Sequence, residues 1–139
     1  MNLTNAKNHF NKIRTHRKWV RHYGKMMGLS KWQAWTHDLS KYSSTEFFES
    51  VKYYQGDRSP IDACKEVNGV SYAWMHHKGC NPHHYEYWQD NFDRGGTPVM
   101  MPYKYAVEML CDYLAAGRAY MGDKFTYKGG ELTIIPKKK

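Results

Sequence analysis

Three adjacent pairs concentrate the reactive side chains of this chain: His37-Asp38, His76-His77 and His83-His84. Eight histidines among 139 residues is more than a small domain needs for packing. Asp112 stands in the middle of an otherwise apolar stretch, beside Cys111 and close to Met109. A carboxylate on such a face needs a partner, because burying it unpaired is expensive. A metal ion, a tyrosine or an arginine would each serve. Imidazole and carboxylate together suit zinc, iron, manganese or nickel, and mixed sets of this kind are what catalytic sites with open positions use. Singly, each feature is ordinary, since a lone histidine is more often a satisfied polar residue than a ligand. Their combination points to a metal centre.

The elements that must position these residues are helical. Phe10, Ile13, Trp19, Val20, Tyr23 and Met27 recur at three- and four-residue steps, predicting a helix over about 4–27 stopped by Gly28. Ser30 caps a second helix over roughly 31–38, which carries Trp32, Ala34 and Trp35 and ends at the His-Asp pair. Ser43 or Ser44 caps a third, with Glu46 in its first turn, running to about Tyr54. A short helix follows from Pro60 to Asn68, then another over 70–78 ending at Gly79, then a short helical piece over 83–89. The segment 93–98 reads as a loop. Pro102 opens the strongest helix, about 103–121, whose apolar face is Tyr105, Val107, Met109, Leu110 and Leu114, with Gly122 as its stop. Two β-prone runs around Gly129-Gly130 predict a small hairpin over about 125–135, followed by a basic tail over 136–139.

The expected architecture is therefore all-α: one compact helical bundle over residues 1–139 with a small C-terminal β-hairpin. The aromatic content of 16% rules against disorder. A net charge of +8 favours anionic partners, such as nucleotides, nucleic acid or acidic lipid, or else a solvated surface. Cys64, Cys80 and Cys111 are odd in number and show no CxxC spacing, which argues against a disulfide framework and for a reduced, cytoplasmic protein. The polar start carries no apolar signal segment, and no run approaches a membrane span.

His37-Asp38-Leu39-Ser40-Lys41 resembles the signature of the HD-domain metal phosphohydrolases, a helical superfamily whose doublet is often followed by a lysine three positions on. The longer run Thr36 to Phe47 is similar to a family of short uncharacterised bacterial and phage proteins with the same HDLSK motif. His16-Arg17-Lys18-Trp19-Val20, Asn81 to Trp88, and Glu108 to Tyr113 resemble that family's other motifs, in the same order. The resemblance implies a compact HD-like bundle. It implies His16, His37, Asp38 and Asp112 around one metal, with His77 and one or both of His83 and His84 around a second. His16 is preferred to His22 because only it precedes a valine by four. The tight spacing of His77 to His83 and the absence of a Gly-Tyr-Pro motif depart from the cyclic-dinucleotide phosphodiesterase branch.

The implied activity is hydrolysis of a nucleotide or other small phosphate ester by water activated on one or two divalent transition ions (manganese, iron, zinc, nickel or cobalt). Asp38 would bridge the ions. Lys41, one turn beyond the doublet, would stabilise charge on a phosphate oxygen. Glu86 would orient a ligating histidine or remain a surface acid. Two other classes stand beside this one: an HD-fold di-iron oxygenase, and a non-catalytic basic protein that binds nucleic acid.

Overall fold

Asn2 opens the first helix, α1 (Leu3–Met27), by accepting a hydrogen bond from Asn5 N at 3.1 Å. The computed structural model describes residues 1–122, 127–128 and 131–132. Gly28 ends α1 in the left-handed region at φ 79°, as its position after the last apolar residue predicts. Ser30 caps α2 (Lys31–Thr36), Ser43 caps α3 (Ser44–Lys52), and Ser59 with Pro60 starts α4 (Pro60–Asn68). Ser71 caps α5 (Tyr72–Cys80). Pro102 precedes α6 (Tyr103–Met121). The chain is all-α, with α1 packed along α6 as the main helix pair and α3 against α5 beside it.

Several local expectations need correction. α2 stops at Thr36, before the His-Asp pair rather than after it. α5 runs through Gly79 to Cys80, because a glycine inside a turn weakens a helix without ending it. Residues 85–87 form a single 3-10 turn, and β1 (Gln89–Asp90) then pairs antiparallel with β2 (Thr97–Pro98) across the segment read as a plain loop. Near the C-terminus β3 (Tyr127–Lys128) pairs antiparallel with β4 (Glu131–Leu132), which is the expected hairpin. Its Gly129-Gly130 turn and the 136–139 tail lie outside the described residues. Among the described residues no helix is long and apolar enough to cross a membrane.

The largest correction concerns what is buried. On α6 the inward residues are Glu108, Cys111, Asp112, Leu114 and Ala115, whereas Met109 and Leu110 are only half-buried. On α1 they are His9, Ile13, His16, Val20 and Gly24. Val20, Cys111 and Ala115 form a small apolar cluster, with Trp19, Tyr23, Met27, Leu29 and Val107 packed around it, and the other buried apolar residues are mostly small. His37, His83 and Asp38 are among the largest fully buried side chains. Cys64 and Cys111 are buried and Cys80 is exposed, all three unbridged.

Candidate metal centre

The position of the His-Asp doublet follows from how α2 ends. Thr36 donates its hydroxyl to Trp32 O at 2.8 Å. Arg17, from α1, takes the loose carbonyls of this terminus, donating to His37 O at 3.1 Å and to Trp35 O. Asp38 then turns left-handed at φ 56°, a conformation that aspartate and asparagine tolerate better than other residues with a side chain. The turn sends both side chains inward, leaving His37 2% and Asp38 0% exposed.

Two donor sets meet at Asp38. On one side its Oδ2 lies 3.3 Å from both His16 Nε2 and His37 Nε2. Asp112 Oδ1 closes that set, 2.9 Å from His16 Nε2 and 3.1 Å from His37 Nε2. On the other side Asp38 Oδ1 lies 3.4 Å from His77 Nε2 and 3.2 Å from His83 Nε2, and His84 completes the group. Within each set one ligand atom per residue falls within 4.8 Å of all the others. Residues from α1, the 37–38 turn, α5, the 83–84 turn and α6 are thereby brought together. His76 belongs to neither set. His22 is exposed, its ring against Trp19 and Tyr23.

The donor chemistry fits a cation. Asp38 Oδ1 and Oδ2, His83 Nε2 and His84 Nε2 are buried, yet none makes a hydrogen bond of acceptable geometry, although nitrogens lie 3.0–3.4 Å from the Asp38 oxygens. Atoms so close and so poorly aligned could share an ion more readily than they bond in pairs. The charges agree. Burial opposes ionisation of Asp38 and Asp112, but the surrounding imidazoles hold both carboxyls well below their usual range, helped at Asp38 by Lys41. Burial likewise disfavours charge on His37 and His83. The carboxylates overcome it, raising His37 well above its ordinary value and His83 to about 9. Four buried carboxylates (Asp38, Asp112, Glu46 and Glu108) demand positive charge, and protons supply it when no ion does. His84 is different: burial and the charge on His83 push it down to about 4, leaving a neutral, metal-competent ring.

Glutamates complete the centre from behind. Glu46 sits in the first turn of α3, where a helix dipole would favour it, but it is 3% exposed and accepts from His77 Nδ1 at 2.7 Å and His76 Nδ1 at 2.6 Å. Glu108 accepts from His37 Nδ1 at 2.7 Å and His83 Nδ1 at 2.8 Å. The role expected of Glu86 falls to these two, since the buried Glu86 Oε1 has no hydrogen-bond partner among the described residues. Glu108 was visible only as the start of the motif Glu108 to Tyr113, four residues and one helical turn before Asp112.

The fold and the site define an all-α protein whose buried histidine–carboxylate cluster could hold a metal ion. A family model described as a family of unknown function, DUF5662, matches residues 5–134, and the chain belongs to that family. No curated protein and no solved structure matches it.

Proposed function

We propose that this protein is a metal-dependent phosphohydrolase or phosphodiesterase of the HD type, acting on a nucleotide or another small phosphate ester. The observation that carries the reading is the division of Asp38, with one oxygen turned to each of two histidine-containing donor sets. His16, His37, Asp38 and Asp112 would hold one ion, and Asp38, His77, His83 and His84 a second. Imidazole-rich sets favour manganese, iron, cobalt, nickel or zinc over magnesium or calcium. A divalent ion in such a set supplies Lewis acidity toward a phosphoryl oxygen and lowers the pKa of water to about 7.

The protein's own residues set the direction of approach. The Lys41 side chain is 27% exposed and Asp112 12%, against 8% or less for His16, Asp38, His77 and His83. Substrate would approach on the side of Lys41 and Asp112. Lys41 Nζ lies 3.0 Å from Asp38 Oδ2. Burial opposes its charge, but Asp38 and Asp112 raise its pKa and keep it an ammonium. From there it would bind a phosphoryl oxygen and stabilise charge gained in the transition state. A groove of about 640 Å³ between α2 and α6 touches His83 and Glu108 alone among these residues, so it opens behind the centre. The net charge of +8 suits an anionic substrate.

Metal analysis of protein purified without chelator, followed by a screen of phosphate esters with each ion, tests the proposal. Bound transition metal and metal-dependent phosphate release are expected. Protein that takes up no ion, or turns over no ester with any ion, would overturn it. Two irons bridged by the same Asp38 would also suit oxygen chemistry, in which case dioxygen uptake replaces phosphate release. Salt-sensitive nucleic-acid binding without turnover would instead mark a binding protein.

A further inference from the structure

Glu46 and Glu108 are not equivalent. Among the described histidines Glu46 reaches His76 and His77, both on α5, and Ser40 bonds it as well. Glu108 uses a single oxygen, Oε2, for two histidines, His37 and His83, at 2.7 and 2.8 Å. Its other oxygen, Oε1, accepts from Gln33 Nε2 at 2.7 Å, and Gln33 donates as well to Lys104 O at 2.9 Å. His37 belongs to the donor set with His16 and Asp112, whereas His83 belongs to the set with His77 and His84. One carboxylate oxygen thus touches both halves of the centre.

An ionised carboxylate only accepts hydrogen bonds, so each Nδ1 that faces Glu108 carries hydrogen. A neutral imidazole has one ring hydrogen, which leaves the Nε2 lone pair of both His37 and His83 turned toward Asp38. We infer that Glu108 is a positioning residue that sets the metal-competent tautomer of His37 and His83 together, so that the two metal sites depend on one side chain. This rests on the two-ion reading above. His37, His83 and Glu108 also group closely enough to hold an ion themselves. Their N-to-O distances are those of charge-assisted hydrogen bonds, however.

Glutamine at 108 keeps the shape and removes the charge. Its amide must either present NH2 to the histidines or turn, forcing Gln33 to turn as well and release Lys104 O. Cobalt(II) titration, followed by visible absorption and bound-metal analysis, reads the consequence in two single-site backgrounds. His77→Gln leaves the set with His16 and Asp112, and Asp112→Asn leaves the set with His77 and His84. Glu108→Gln should weaken cobalt binding by roughly ten- to a hundredfold in both backgrounds, the usual effect of losing a partner behind a ligand. Glu46→Gln should do so only in the Asp112→Asn background. The same titration on the otherwise unaltered chain gives two stepwise constants, both of which should fall with Glu108→Gln, should a background variant fold poorly. Weakening at one site only, or at neither, overturns the inference and leaves the proposed function standing. A lowered metal-free melting point with unchanged cobalt affinity and spectrum overturns it too, since that is what a purely structural role produces. A parent protein that takes only one cobalt ion overturns the inference, and one that takes none overturns the proposed function as well.

Discussion

At position 38 charge and shape can be separated. Asparagine keeps the size and tolerates the left-handed backbone at φ 56°, but it cannot offer an anionic oxygen to each donor set. Asp38→Asn should therefore lose bound metal and turnover while the far-UV circular dichroism stays helical. Lys41→Ala should retain metal and slow turnover about a hundredfold, the effect of losing one transition-state contact. His16→Ala should lose metal and His22→Ala should not, because only His16 is buried beside Asp38 and Asp112. Bound-metal analysis and ester hydrolysis on the four variants check all of this; full turnover by Asp38→Asn would remove the mechanism. His9 makes a separate prediction. It is 7% exposed against Phe47 and Tyr54, and burial, then the charge of Lys41, push its pKa down to about 4. The unfolded chain binds this proton near pH 6.5 and the folded chain does not. Stability from His9 is thus whole above pH 6.5 and is lost as pH falls toward 4, by up to about 3 kcal/mol. Denaturant titrations across that range should show a smaller acid loss for His9→Gln than for the parent.

Among the elements, α5 is tied at its start to α3. Its first turn is held by Glu49 of α3, which accepts from Ser71 Oγ at 2.6 Å, from Tyr72 N at 3.0 Å and from Ala73 N at 3.2 Å. These are donors that a helix start leaves without partners. Glu49→Ala should cost about 2 kcal/mol in a denaturant titration. It should also weaken metal binding, since α5 delivers His77 without Glu49 touching any donor atom. Unchanged affinity at reduced stability would show that α5 is held in place mainly by its packing on α3. The neighbouring turn has its own anchors: Asn81 donates to His77 O at 2.7 Å, and Trp88 Nε1 donates to Pro82 O at 2.7 Å, fixing the segment that carries His83 and His84.

Taken whole, the molecule places charge where a larger domain would place leucine and phenylalanine. Among the described residues the buried apolar cluster of Val20, Cys111 and Ala115 is small, and the groups that could hold an ion come from α1, α5, α6 and two turns. An ion held there ties those segments together and binds the folded state alone. At a hundredfold excess over Kd the gain is about 2.7 kcal/mol. For a chain of this size that raises the melting temperature on the order of 10 °C. Scanning calorimetry before and after chelation, then after adding back each metal, measures it. An unchanged midpoint would mean that the carboxylates are balanced by protonated histidines instead.

Local chemistry along the chain determined the helices. Ser30, Ser43, Pro60 and Pro102 start them, and Gly28 and Gly122 stop them, because caps and backbone preferences act within a turn or two. Residue type and a resemblance of motifs also brought His16, His37, Asp38, His77, His83, His84 and Asp112 forward as one group. Periodicity misread the inner face of α6, since it equates burial with apolar character, and here Glu108 and Asp112 point inward while Met109 and Leu110 lie half-buried. Tertiary structure alone decided that His83 and His84 both join His77 beside Asp38, and that Glu46 and Glu108 stand behind the rings. Adjacent histidines are identical in type, and only the rotation of their helix against its neighbours decides which ring nitrogen meets which carboxylate.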